Sequence, residues 1–455
     1  MSAFLAVCAV VGIIVAGYLM VKGYKPAVVL MLAGFVLAAI SIIFRSGLSP
    51  LTSDKSSGSR WFDIAGMFEE VAGSQLTSVG LIIMAAGGFS AYMNKIGATR
   101  ALVKVVSAPV ARINHPYVLL IFSYLLGQAL FMVIPSAAGL AILLIVLLLP
   151  ILKAANVTPA AAAAVIATSS ALPMGPATGT TVLAAKTVGL SPVVYFVENQ
   201  LIVALPTMVA VAIAHYFVQR HYDRKNDDTY TTTTMSPSED QMEAPKFYSL
   251  FLVLPILLLI IFSPIVNHSI ELSTVSAFII VWLVAIVVEL IRRRSGKAVL
   301  NDSDALFKGM GGMFSSVVSL IIAAQIFAQG LKMTGVIDLM IKGAEKLGAG
   351  MTVMAIIFTL IVGVVTFLTG SGVGAFSAFA KLAPDVSKGL GGSATSLVTP
   401  MQFASGLFRS FSPVSGVVIA VSGGAGMSPL AVVRRTIIPM AVGIVVMTTC
   451  SLVFI

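Results

Sequence analysis

Arg409 stands between Leu407, Phe408 and Phe411, far along an apolar stretch from the nearest basic loop. In a lipid environment a cation at that depth costs on the order of 3 kcal/mol on insertion scales, a cost that a bound anion offsets. Small hydroxyl residues occur in four Gly- and Pro-broken stretches: 135–139 (Pro-Ser-Ala-Ala-Gly), 173–181 (Pro-Met-Gly-Pro-Ala-Thr-Gly-Thr-Thr), 370–374 (Gly-Ser-Gly-Val-Gly) and 410–416 (Ser-Phe-Ser-Pro-Val-Ser-Gly). Ser136, Thr178, Thr180, Ser371, Ser412 and Ser415 can donate hydrogen bonds to carboxylate oxygens. A helix starting at such a break adds free N–H groups and a positive dipole end. With Gly139, Gly179, Gly372, Pro413 and Gly416 these residues and Arg409 form the candidate anion site. The plainer alternatives are that small residues only allow close helix packing, and that Arg409 snorkels or pairs with protein carbonyls.

Other chemistries find no support. His115, His215, His221 and His268 lie at span ends or in loops without ligand spacing, so solvent contact is expected rather than metal binding. The Gly370–Gly374 run has no preceding strand and no Lys-Ser/Thr after it, unlike a nucleotide loop. No Ser/His/Asp grouping or paired intramembrane carboxylate suggests hydrolysis, and Lys381 and Asp385 read as solvated or structural. Cys8 and Cys450 lie in apolar segments near opposite ends of the chain, which suggests neither a disulfide nor a thiolate metal site. The chain is read as a non-enzyme without a cofactor.

The elements holding the site follow from composition. Of 455 residues 58% are hydrophobic and 10% charged, against about 25% charged in soluble domains, and the apolar stretches recur from end to end. The solvent of this fold is lipid. The net charge of +10 sits in short clusters between apolar spans without aromatics to stack bases, which excludes nucleic acid as a partner. With about 20 apolar residues needed per crossing, ten full crossings are expected near 4–21, 27–44, 77–94, 159–185, 193–217, 247–265, 274–291, 312–331, 397–421 and 436–454. The first reads as a retained helix, not a cleaved leader. Two stretches interrupted in the middle, 117–151 and 352–383, are read as re-entrant hairpins. Cytoplasmic loops hold an excess of Lys and Arg; Arg292–Arg294 anchor the assignment. Walking outward from them puts 22–25, 95–112, 220–246 and Arg434–Arg435 inside, with both termini outside. A hairpin at 117–151 keeps these signs consistent, whereas a single crossing reverses every earlier loop.

The halves repeat. Pro176-Ala-Thr-Gly179 recurs as Pro413-Val-Ser-Gly416 and Gly189-Leu-Ser-Pro192 as Gly426-Met-Ser-Pro429, both at an offset of 237. Phe89 and Gly97 pair with Phe327 and Gly335 at 238, and Ser136 and Gly139 with Ser371 and Gly374 at 235. Five crossings and one hairpin per half invert the second copy, the architecture of secondary transporters. The expected organisation is an all-α polytopic membrane protein of two inverted repeats. Residues 1–218 form the first, with hairpin 117–151 and broken helix 159–185. A flexible linker follows at 219–246, and residues 247–455 form the second, with hairpin 352–383 and broken helix 397–421.

The sequence resembles the anaerobic C4-dicarboxylate carriers of the DcuC type, within the ion transporter superfamily. The resemblance rests on 87–93 (Gly-Gly-Phe-Ser-Ala-Tyr-Met), His115-Pro-Tyr117, Thr369-Gly-Ser-Gly372, 409–418 (Arg-Ser-Phe-Ser-Pro-Val-Ser-Gly-Val-Val) and 432–436 (Val-Val-Arg-Arg-Thr), and covers nearly the whole chain. It implies transport of fumarate, succinate, malate or aspartate by exchange or by cation-coupled symport or efflux. It further implies a bacterial inner membrane, a homodimer, and an elevator motion of a mobile domain against a scaffold. Many superfamily members carry Ser-Asn-Thr at the hairpin tips; both tips here lack Asn, which leaves the coupling ion open between proton and sodium. The competing readings are a carrier for another organic anion and a sodium/proton antiporter, which should carry an intramembrane Asp or Glu near the breaks.

Overall fold

A backbone inside a bilayer has no water to bond, so an open chain must satisfy its N–H and C=O groups within helices. The computed structural model describes residues 2–44, 49–51, 56–110, 112–113, 115–225, 244–262, 266, 269–270, 272–336 and 350–455, and these contain helices and no strand. Eight helices are long and apolar enough to cross a membrane: Pro26–Phe44, Arg60–Lys95, Pro116–Val133, Pro192–Lys225, Thr274–Arg293, Gly296–Thr334, Met351–Thr369 and Pro429–Phe454. Shorter apolar helices cover Phe4–Met20, Ala137–Leu147, Pro159–Thr168, Lys246–Ile261 and Gly416–Ala425.

The two stretches read as broken helices each come in two pieces. Pro159–Thr168 leads through a non-helical 169–178 into Gly179–Val188, and Thr395–Arg409 leads through 410–415 into Gly416–Ala425. The two stretches read as hairpins break where Ser136 and Ser371 start new helices, each accepting a hydrogen bond from the N–H three residues on (Gly139 and Gly374, both 3.2 Å). Several helices outrun their apolar cores. Arg60–Gln75 feeds through a π-turn at Leu76–Gly80 into Leu81–Lys95, and a second π-turn at Phe314–Val318 joins Ala305–Met313 to Ser319–Thr334. Hydropathy alone registers only the apolar part of such rods.

Local geometry recurs at the separations found in the sequence. Two of the three π-turns among the described residues start at Leu76 and Phe314, and the left-handed Gly97 and Gly335 stand at the same offset from one another; the third, Phe196–Gln200, has no counterpart in helix Pro429–Phe454. Gly189 and Gly426, which match in the Gly-x-Ser-Pro repeat, both end a helix in the left-handed region. Ser191 and Ser428 then cap the next one ahead of Pro192 and Pro429.

Apolar side chains gain little from burial against one another in lipid, so backbones must approach closely enough for dispersion to hold them. Helix Pro26–Phe44 crosses Ser319–Thr334 in this way: a Cβ on Gly34 would lie 2.7 Å from the Ile326 carbonyl and one on Gly330 2.5 Å from Gly34 O. Gly309 packs as tightly on Gly88, with 2.8 Å from its built Cβ to Gly88 Cα.

Helix Leu201–Lys225 runs past the membrane edge expected near 217 and carries Gln219–Lys225 of the segment read as linker; 226–243 and His268 lie outside the described residues. Its far end packs on Pro429–Phe454, which corrects the expectation of a solvent-facing His215. That imidazole is fully buried, with Nε2 2.9 Å from Thr168 Oγ1 and Nδ1 3.3 Å from Gln219 Nε2. Two turns farther along the helix, half-buried Asp223 is ion-paired with Arg435 and accepts from Thr158 Oγ1 at 2.9 Å. Arg435 therefore has a partner within the protein as well as its place among the basic loop residues.

Candidate functional site

Arg409 ends helix Thr395–Arg409, where the negative end of the helix dipole favours a cation. Its Nη2 donates to Ser170 O at 2.6 Å and lies 3.3 Å from Ser170 Oγ, and the guanidinium carbon sits 5.9 Å from the centre of the Phe131 ring. The protein therefore holds one edge of the guanidinium, as the plainer reading anticipates. Nε, however, is buried with no hydrogen-bond partner, and leaving such a donor unsatisfied costs about 1–3 kcal/mol, more for a charged group.

That unsatisfied nitrogen belongs to a side chain lining a small cavity of about 70 Å³, together with Phe131, Pro135, Thr178, Gly179, Thr180 and Ser405. The volume suits about two waters or one carboxylate. Helix Gly179–Val188, whose first residues line the same cavity, begins without a side-chain cap. Thr178 holds the capping position, but its hydroxyl is turned to Gly175 O (3.2 Å) and Thr181 Oγ1 (2.6 Å). No side chain caps the first turn, which lines the same cavity as a guanidinium that lacks a carboxylate partner.

The irregular backbone of 173–178 is fixed from behind. Gln402 Nε2 donates to Pro173 O at 2.9 Å and to Thr181 Oγ1 at 3.1 Å, and lies 3.5 Å from Thr180 Oγ1. Its Oε1 accepts from Tyr195 OH and from Gln200 Nε2, both at 3.0 Å. Gln200 in turn accepts from Gly175 N at 3.1 Å. Gly175 itself sits at φ +104°, open to glycine and strained for other residues. Tyr195, Gln200 and Gln402 are fully buried, and a satisfied network at low dielectric locks an unwound segment in one shape.

A larger cavity of about 610 Å³ shares Gly87, Pro135 and Met313 with the small one. Ser136 and Gly139 line it, together with Ser90, Asn94, Thr99 and Arg100.

The structure thus gathers Arg409, Thr178, Gly179 and Thr180 around one cavity and Ser136 with Gly139 around its neighbour. Ser371, Gly372, Ser412, Pro413, Ser415 and Gly416 line neither. Ser412 donates to Phe367 O at 2.6 Å, and Ser415 caps its helix by accepting from Val418 N at 3.2 Å. Gly372 packs on helix Thr395–Arg409 so closely that a Cβ would lie 2.3 Å from Ser405 O. Asp385 makes an exposed ion pair with Lys332 at 3.1 Å.

Residues 5–455 match the family model described as the C4-dicarboxylate anaerobic carrier DcuC. The chain belongs to the DcuC family. A probable anaerobic C4-dicarboxylate transporter DcuC of Vibrio cholerae is 34% identical over 440 residues, 96% of this chain and 95% of that protein. The anaerobic C4-dicarboxylate transporter DcuC of Escherichia coli K12 is 33% identical over 431 residues, 95% and 92% of the two chains. Two solved transporters share the fold. YdaH of Alcanivorax borkumensis has a TM-score of 0.62 at 15% identity, covering 96% of this chain and 98% of its own. MtrF of Neisseria gonorrhoeae, described as an antimetabolite efflux pump, has 0.61 at 14%, covering 94% of each. This DcuC-family chain is accordingly a multi-pass membrane protein of a carrier family, not an enzyme family.

Sequence reasoning passed over Tyr195, Gln200 and Gln402. One signal was present: Gln200 and Gln402 are uncharged polar residues within apolar spans, where each must find a partner.

Proposed function

We propose that this DcuC-family protein is a secondary carrier of C4-dicarboxylates such as fumarate, succinate, malate and aspartate. It works by exchange or by symport or efflux coupled to a proton or sodium ion, and Arg409 receives one substrate carboxylate. The observation that carries the assignment is that Arg409, buried without a carboxylate partner and with Nε unsatisfied, lines the same carboxylate-sized cavity as the uncapped first turn of Gly179–Val188. Family membership supplies the substrate class. Among the described residues no acidic side chain lines either cavity, which argues against an antiporter carrying only cations. The first-turn N–H groups of Gly179 and Thr180 and the Thr180 hydroxyl donate to the bound carboxylate, Thr178 shapes the turn behind them through Gly175 O and Thr181 Oγ1, and the carbon chain extends past Pro135 and Met313 toward Ser136 and Gly139. Ser371, Gly372, Ser412, Pro413, Ser415 and Gly416 form the matching surface in the second half that lines the path when access alternates.

The same reading takes the halves as inverted repeats of five crossings and one hairpin, supported by the paired π-turns and paired left-handed glycines at equal separations. It places the protein as a homodimer in a bacterial inner membrane with both termini periplasmic. The broken helices and hairpins move as one body against the scaffold. The larger cavity is lined by Arg100 of the 95–112 segment, which the charge bias puts inside, so the conformation described is inward-open.

Labelled succinate binding and counterflow with the reconstituted protein test the assignment. Arg409→Lys keeps the charge but loses the fork that fits a carboxylate, and binding should weaken about tenfold or more. Arg409→Ala should abolish it while the protein still purifies as a monodisperse species. A folded Arg409→Ala protein with unchanged affinity would make the residue structural.

A further inference from the structure

Arg100 lies on helix Ala98–Val110 and lines the larger cavity. Its neighbours among the basic residues have partners: Lys95 lies 3.7 Å from Asp302, and Lys308 2.9 Å from Asp304. Arg100 makes no ion pair or hydrogen bond with any described residue. The residue before it, Thr99, is 4% exposed, lines the same cavity, and holds a buried hydroxyl without a partner. Ser90, Asn94 and Ser136 supply further donors around the cavity, and none of its described lining residues is acidic. A half-buried guanidinium in a concave, acid-free wall focuses a positive potential, which raises the local concentration of an anion and its rate of arrival.

From these observations, and resting on the assignment of Arg409 above, we infer that Arg100 and Thr99 form a second anion site. It captures the dicarboxylate in the vestibule and passes it through the shared wall of Gly87, Pro135 and Met313 to Arg409. Arg100 makes its contact before the substrate is sealed in, so it governs how well the carrier fills from one face and leaves the translocation step alone. The nearest structural alternative is an arginine that merely marks a cytoplasmic loop; such a residue would be indifferent to substrate.

Two measurements on the full-length protein test this. In membrane vesicles of opposite orientation, Arg100→Gln should raise the KM for labelled succinate about tenfold at the face carrying the 95–112 segment. It should also flatten the dependence of that KM on ionic strength and leave KM at the other face unchanged. Arg100→Lys should restore most of the salt dependence. An Arg100→Gln carrier with unaltered KM and salt dependence, or one equally impaired from both faces, overturns the proposal.

The second measurement separates this site from Arg409. In a chain with Cys8 and Cys450 replaced by Ser, Ser90→Cys should react with a negatively charged thiol reagent, and succinate should slow the reaction. That protection should persist in Arg409→Ala and vanish in Arg100→Gln. Protection lost with Arg409→Ala but kept with Arg100→Gln would return all binding to the inner site and refute a vestibular one. If Arg409→Ala leaves transport intact while the Arg100 effects stand, the inner assignment fails and the vestibular site survives.

Discussion

In the first half the chain leaves the helix for ten residues between Thr168 and Gly179; in the second it does so for six, between Arg409 and Gly416. Both breaks come before a short helix that ends in a left-handed glycine, and both carry a Pro-x-(Thr/Ser)-Gly signature. Their hydrogen bonding differs. Thr178 turns its hydroxyl away and leaves the following helix uncapped before a cavity, whereas Ser415 caps its helix and Ser412 is spent on Phe367 O. The second hairpin tip seals the joint further: a Cβ on Gly370 would lie 2.6 Å from Val414 O. Two copies of one motif thus differ: one lines a cavity and the other is a packed seam. The carrier proposed above would need such asymmetry at any instant, since both sides open together would leak.

The largest effect should come from forcing the seam. Gly372→Ala places a methyl 2.3 Å from Ser405 O, and backbone cannot yield as a flexible side chain does, so a loss of about 3 kcal/mol is expected. It would appear as a much lower detergent melting temperature and poor recovery. Normal thermal stability would mean that the tip is not packed as described.

A matched pair sharpens the comparison at the substrate. Gly179 and Gly416 occupy the first helical position after each break, and both have room for a methyl: the nearest atom to a Gly179 Cβ is Ile83 Cδ1 at 3.6 Å, and nothing lies within 4 Å of one on Gly416. Gly179→Ala should narrow the cavity and weaken succinate binding about five- to tenfold. Gly416→Ala should stay within about twofold, measured by the same binding assay on both. Equal losses would show that the two breaks contribute alike to the bound state.

The smallest effect belongs to the cap. Ser415→Ala removes the acceptor of Val418 N and should cost about 1 kcal/mol, seen as a modest fall in melting temperature with succinate affinity retained. A change in affinity larger than the change in stability would place Ser415 in the site.

Much of the asymmetry is written in the sequence but needs the fold to read it. At the separation of 237, Arg409 and Gln402 of the second half stand opposite Leu172 and Val165 of the first, and Tyr195 and Gln200 of the first opposite Val432 and Ile437 of the second. The polar member of each pair lies in one copy alone; Gln402 meets Tyr195 and Gln200 across the interface between the halves, and Arg409 reaches Ser170 of the first half. The break positions were legible because Gly, Pro and small hydroxyls mark them within apolar runs. The partners of Gln402 were not, since Pro173 and Thr181 belong to the opposite half of the chain.

Composition and periodicity by themselves determined that the chain is helical, lies in lipid, breaks at four places and carries one costly cation in a span. Those are local properties, set by each segment's transfer free energy and backbone preference. Tertiary structure alone decided which breaks stay open, that Arg409 keeps one nitrogen without a partner, that His215 is buried, and that Arg100 faces a cavity. Each of these depends on where distant segments come to rest. Whether a polar group is satisfied is a property of its neighbours in space and not of its neighbours in sequence.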